Sequence, residues 1–223
     1  MVTVHHLEHS RSHRVLWLLE ELDVPYELKR YARDPKTLLA PAELKTVHPL
    51  GKSPVITDGE QTVAESAAIL EYLLDAHGDG QLRPAAGSPA HLRYRYWMHY
   101  AEGSAMPPLL LKLVFDRVAN APMPFFARPI ARAIASQANK AFIGPQLKLH
   151  LDYLEDELGK SHWFAGDTFS AADIQLSYPI EAAAARAGLD GSRPRLMDYL
   201  ERIRTRPAYQ RAVERGGPPI PGR

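Results

Sequence analysis

The stretch from His48 to Ile69 constrains this chain more than any other part of it. Val55-Ile56-Thr57 and Gln61-Thr62-Val63 are short β-prone runs flanking Asp58-Gly59, a strong hairpin signal because both positions tolerate positive φ. Ser53-Pro54 opens the first strand, and Glu65-Ser66 opens a helix that carries Ile69, Leu70, Leu73 and Leu74 inward to a stop at Gly78. This layout frames a pocket for a small peptide with a free carboxylate. Ser66 is a natural N-cap beside free N–H groups that attract an anion, and Glu65 can pair with a neighbouring ammonium. An X–Pro bond prefers trans by only about 0.5–1 kcal/mol. A cis Ser53-Pro54 bond would turn the Ser53 backbone outward to pair with an extended peptide as a strand would. Lys52 can hold a second carboxylate at the far end of that ligand. The competing reading is a trans proline, a capped helix and two solvated charges.

The preceding residues supply a β-α-β unit. Val2 and Val4 share a strand face, and Ser10 and Ser12 are N-cap candidates for a helix with Val15, Leu18, Leu19 and Leu22 on one stripe. Val24-Pro25 ends that helix, Tyr26 to Tyr31 alternates as a strand, and Pro41 to Val47 makes a short helix. Residues 1–80 thus read β-α-β-α-β-β-α, the order of a thioredoxin-like α/β domain. Residues 81–89 are a linker, and 90–223 an all-helical bundle domain. In the latter, Met106-Pro107-Pro108 should kink a long helix from His91 to Val118. Pro122, Pro124 and Pro129 mark an irregular segment. Ser170 to Asp173 fits a capping box with Asp173 buried, and the Pro/Gly-rich tail from Gly216 is expected to be unstructured.

Composition narrows the function. Lys+Arg 27 against Asp+Glu 26 gives a net charge of +1, so nothing global favours nucleic acid or an anionic membrane. With no cysteine the chain has no disulfide, no thiolate metal site and no thiol nucleophile of its own. Any thiol must arrive with the ligand. Ser10, or Ser12 as the alternative, stands where a hydroxyl and a helix N-terminus would stabilise a thiolate, although either can be a simple N-cap. His5, His6, His9 and His13 lack the compact spacing of a zinc site, and no metal is expected. The N-terminus lacks a signal-peptide profile, and no apolar run approaches the roughly 20 residues of a membrane span. A soluble, cytoplasmic protein is expected.

Taken together, these residues resemble the cytosolic glutathione transferase family. The marks are Ser10 to Leu22, Pro49 to Ile56, Glu65 to Ile69, Trp163 to Asp167 with Phe169 to Ile174, and Arg206 to Tyr209. Tyr96 to Ser104 is similar to the fungal glutathione transferase I branch and its bacterial relatives. The resemblance implies the glutathione transferase fold, a homodimer, and glutathione as co-substrate with no other cofactor. It assigns the cysteinyl backbone to Ser53 beside cis Pro54, the γ-glutamyl end to Glu65 and Ser66, the glycyl carboxylate to Lys52, and thiol activation to Ser10. The electrophile is expected against Tyr96, Tyr100, Met106 and Leu110. The implied activity is conjugation of glutathione to hydrophobic electrophiles in detoxification, with a glutathione-dependent peroxidase side activity. The alternative is a non-catalytic binding or regulatory protein on the same scaffold.

Overall fold

The computed structural model describes residues 1–221. Strands β1 (Val2–Leu7), β2 (Tyr26–Tyr31), β3 (Val55–Asp58) and β4 (Gln61–Ala64) form one mixed sheet in the order β2-β1-β3-β4. β1 runs parallel to β2, with Val2 opposite Tyr26, and antiparallel to β3, with Val4 opposite Ile56. A parallel pair needs a crossover, and helix α1 (His13–Glu21) supplies it. The β3–β4 hairpin turns at Gly59, whose φ of 57° suits glycine, and leads into helix α2 (Ser66–His77).

Seven helices follow among the described residues: α3 (Pro89–Tyr100), α4 (Met106–Asn120), α5 (Arg128–Ala138), α6 (Gly144–Glu157), α7 (Ala171–Arg186), α8 (Pro194–Arg204) and α9 (Pro207–Gly216). The expected kink between α3 and α4 is a single wide turn over Ala101–Ala105, in which the Met106 N–H reaches back to the Ala101 carbonyl. Pro107 and Pro108 have no N–H to return to the preceding turn, and the widened backbone ends just before them.

The stripe expected on α1 understates its burial. His13 through Leu19 are all buried, because α1 lies between the sheet domain and helices α7 and α9. Trp17 packs edge-on to Tyr209 at 5.1 Å and against Phe169 at 5.7 Å. The tail differs from expectation too. The Gly216 carbonyl accepts from His6, the Pro218 carbonyl lies 3.1 Å from His9 Nδ1, and Ile220 packs on the core. A Cβ at Gly216 would lie 2.4 Å from Leu16 Cδ1, so a larger residue there would force the buried Leu16 side chain to move. Residues 222 and 223 of the tail lie outside the described residues.

Candidate active site

Lys52, Ser53, Pro54, Glu65 and Ser66 line one cavity of about 210 Å³, together with Arg11 and Glu102. The Ser53–Pro54 bond is cis. The Ser53 hydroxyl donates to the His5 carbonyl at 3.1 Å and accepts the Leu7 N–H at 3.4 Å, which ties the start of β3 to the central strand. Glu65 has φ 72° and ψ 127°, a region closed to most L-residues, and holds the turn that aims the first N–H groups of α2 at the cavity. Backbone strain of this kind collects at ligand sites.

Ser66 is buried, and its hydroxyl oxygen accepts a hydrogen bond from Arg14 Nη2 at 2.7 Å, so its proton remains to be given to an anion. The same Nη2 meets Glu102 at 2.5 Å, and Arg11 Nε lies 3.0 Å from the other Glu102 oxygen. Burial would raise the Glu102 carboxyl, but Arg14 and Arg11 outweigh it and hold the group below its ordinary range. The wide turn before α4 therefore presents a carboxylate that fixes two arginines on the first loop and helix.

Ser10 and Ser12 belong to one buried chain. Ser10 Oγ is 2.8 Å from Ser12 Oγ, which is 2.8 Å from His6 Nδ1, and His6 Nε2 is 2.8 Å from the Gly216 carbonyl. Burial, partly offset by that carbonyl, lowers the His6 pKa and favours the neutral ring. A carbonyl only accepts, so Nε2 carries the proton and Nδ1 accepts from Ser12. The Ser10 hydroxyl then donates to Ser12. Ser10 is buried and does not line the cavity of Lys52 and Ser66. To donate to a ligand it must release Ser12, at a cost of about 1 kcal/mol.

A second cavity of about 440 Å³ lies between α4, α7 and the loops after β1 and β2. Met106 and Leu110 line it, with Leu109, Leu113 and Tyr178. Tyr96 and Tyr100 do not. Tyr100 is buried with its hydroxyl 2.6 Å from His150 Nδ1, and Tyr96 stacks on it at 5.6 Å facing solvent. The side chains of their helix turn away from the cavity that α4 faces. Arg11 borders both cavities, and its guanidinium lies 5.4 Å from the centre of the Tyr178 ring. Arg11, Arg14, Glu102 and His6 are absent from the sequence reading of the site. An arginine between two serines, or one inside an apolar helix stripe, is the only trace they leave in the chain.

Comparisons with known proteins agree with this architecture. The family model described as "Glutathione S-transferase, N-terminal domain" matches residues 1–75, and "Glutathione S-transferase, C-terminal domain" matches 137–202. Glutathione S-transferase 3 of Schizosaccharomyces pombe is 37% identical over 216 residues, covering 96% of this chain and 88% of the relative. Glutathione S-transferase 1 of Saccharomyces cerevisiae is 31% identical, covering 96% and 95%. Among solved structures, a glutathione S-transferase from Actinobacillus pleuropneumoniae superposes with a TM-score of 0.79 at 33% identity, covering 97% of this chain and 93% of its own. A sphingomonad glutathione S-transferase complexed with glutathione gives a TM-score of 0.75 at 26% identity, covering 96% of this chain and 98% of its own. With both domains matched and relatives aligned across nearly their whole length, this chain belongs to the glutathione S-transferase family.

Proposed function

We propose that this protein binds glutathione in the cavity of Lys52, Ser53, Glu65 and Ser66 and transfers its thiolate to an electrophile in the cavity beside α4 and α7. The observation that carries this reading is that the two cavities meet at Arg11. In this pose the γ-glutamyl carboxylate takes the Ser66 N–H and hydroxyl, and its ammonium faces Glu65. The cysteinyl unit pairs with the Ser53 backbone, the glycyl carboxylate meets Lys52, and the sulfur points toward Arg11 and Ser10.

The chemistry is stabilisation of a thiolate followed by positioning. Among the described residues, the Nη groups of Arg11 have no hydrogen-bond partner and supply a fixed positive charge. Ser10 turns its hydroxyl to the sulfur, and the thiol proton leaves to solvent. Sulfur then attacks the electrophilic carbon, a C–S bond forms, and the leaving group departs with its electron pair. The same thiolate can attack a hydroperoxide oxygen to give a sulfenate and an alcohol; the sulfenate takes a proton from solvent, and a second glutathione thiol converts the sulfenic acid to the disulfide and water. The non-catalytic alternative is disfavoured because a protein that only carries the scaffold has no need of an arginine, held through Nε by Glu102, that borders both cavities. A homodimer, the family norm, is proposed for this chain as well.

Ultraviolet titration of bound glutathione is the test. The thiol is expected to titrate well below its ordinary value of about 8.5, with turnover of an activated chloronitroarene. Failure to bind glutathione at millimolar concentration would reject the reading.

A further inference from the structure

The electrophile cavity has a charge pattern that conjugation to a neutral molecule does not require. On α4, Met106, Leu109, Leu110 and Leu113 form an apolar stripe that ends at Arg117, about 16 Å further along the axis. On α7, Tyr178 and Ala182 form a second stripe that ends at Arg186. Both stripes begin beside Arg11, whose partner Glu102 precedes α4 and which lies over the Tyr178 ring. Arg33, from the loop after β2, lines the same cavity.

These cations are poorly neutralised. Among the described residues, neither Arg117 nor Arg186 has a hydrogen-bond or ion-pair partner. Arg33 donates to the carbonyls of Glu8, His9 and Leu38, which fixes its guanidinium without cancelling its charge. Burial lowers the Arg33 pKa, Tyr178 opposes it, and the nearby Arg117, Arg186 and Arg11 charges add to the lowering, as expected for like charges sharing one space. Glu8 is the one carboxylate among the described lining residues, and it is exposed. An apolar trough with a reactive end at Arg11, two arginines at the other end and Arg33 in its lining fits a molecule polarised in the same way.

We propose that the second substrate is an amphiphilic electrophile whose apolar body lies along α4 and α7 and whose carboxylate is held by Arg33, Arg117 and Arg186. This inference rests on the glutathione transferase reading and names the substrate class of its second cavity. In the reaction, the glutathione sulfur bonds to the electrophilic carbon near Arg11 and the leaving group takes the electrons of the bond that breaks. The carboxylate stays unchanged at the far end.

Two probes test it: N-(4-chloro-3-nitrobenzoyl)-4-aminobutanoate and its neutral primary amide. Their reactive rings are identical, and thiolate attack displaces chloride from both. Calorimetric binding and KM for both probes are compared in the wild type and in Arg117→Gln/Arg186→Gln. The acid is expected to bind about tenfold more tightly than the amide, as charge-assisted hydrogen bonds allow. This ratio should fall to within about twofold in the double variant. Equal affinity for the two probes in the wild type, or a preference for the acid that survives in the variant, overturns the proposal. Absence of turnover for both probes defeats the transferase reading instead, and the binding ratio still decides the preference of the cavity.

Discussion

Arg14 Nη1 donates at 2.6 Å to the Gln175 carbonyl, and Pro179 is the reason that carbonyl is free. In α7 the Gln175 oxygen would ordinarily take the N–H four residues on, which proline lacks. The guanidinium that fills this place also grips Ser66 and Glu102, so one buried side chain joins the central helix of the bundle to the proposed glutathione pocket. Replacing Arg14 by Met should cost roughly 2–4 kcal/mol of stability by orphaning three acceptors. In that background Pro179→Ala should return about 1 kcal/mol, because the helix can then satisfy Gln175 itself. Urea unfolding of the two variants measures this, and no recovery would disconnect Pro179 from Arg14.

The hydroxyl chain separates the roles of the two serines. Ser10→Ala removes the group proposed to meet the sulfur, and the bound thiol should titrate closer to about 8.5. Ser12→Ala removes the partner of both Ser10 and the His6 ring. It should lower stability by about 1–2 kcal/mol while leaving more of the thiol shift in place. Ultraviolet titration and thermal melts of the pair check this, and a larger pKa change in Ser12→Ala would reverse the assignment.

Gly216 closes the far end of that chain. A methyl group there meets Leu16 Cδ1 and, at 3.2 Å, His6 Cε1. Gly216→Ala is expected to destabilise the protein by about 1–3 kcal/mol through overpacking. His6 reaches Ser10 only through Ser12, so kcat and KM for glutathione in the folded variant should stay close to the wild type. Steady-state kinetics with a melting curve checks both, and an unchanged melting temperature would reject the overpacking.

Features set by neighbours along the chain are legible in the amino-acid sequence. The Asp58-Gly59 hairpin and the Ser170–Asp173 capping box depend on backbone preferences within a few residues, and both are present, whereas Ser66, expected as an N-cap, is the first residue of α2 and Glu65 stands at the cap. Arg14 is not legible there, because its burial depends on acceptors 88 and 161 residues away. Tyr96 and Tyr100 are expected near the electrophile only from their position on the helix before Met106. The wide turn at Ala101–Ala105 separates their helix from α4, and only α4 faces the cavity. The Pro/Gly content of the tail suggests an unstructured segment, yet the carbonyls of Gly216 and Pro218 are bonded to two histidines near the other end of the chain.

Asp173 lies in the folding apparatus. Its Oδ2 accepts the Ser170 N–H at 2.9 Å and hydroxyl at 3.1 Å, and Oδ1 accepts the Phe164 N–H at 3.0 Å. Asp173→Ala should destabilise the protein by around 1–3 kcal/mol, with glutathione affinity in the folded fraction unchanged. An unaltered melting temperature would reject the role.

Glu181 should give the protein a distinct pH dependence. It is buried in α7, accepts the Tyr209 hydroxyl at 2.5 Å and lies 3.7 Å from Arg204 Nε, while its other oxygen has no partner. Burial raises its pKa to about 7 from an ordinary 4.5, against the opposing pull of Tyr209 and Arg204. Between these values the folded protein keeps a proton that the unfolded chain gives up, so stability falls as pH rises through the window, and the full cost persists above about 7. Glu181→Gln imitates the protonated acid at every pH. It should match the wild type near pH 5 and exceed it near pH 8 by roughly 1–3 kcal/mol. Asp173, which burial also pushes up to about 6, titrates in both proteins and cancels from the difference. Urea unfolding at the two pH values measures the comparison, and an equal difference at both would show that Glu181 titrates normally in the folded protein.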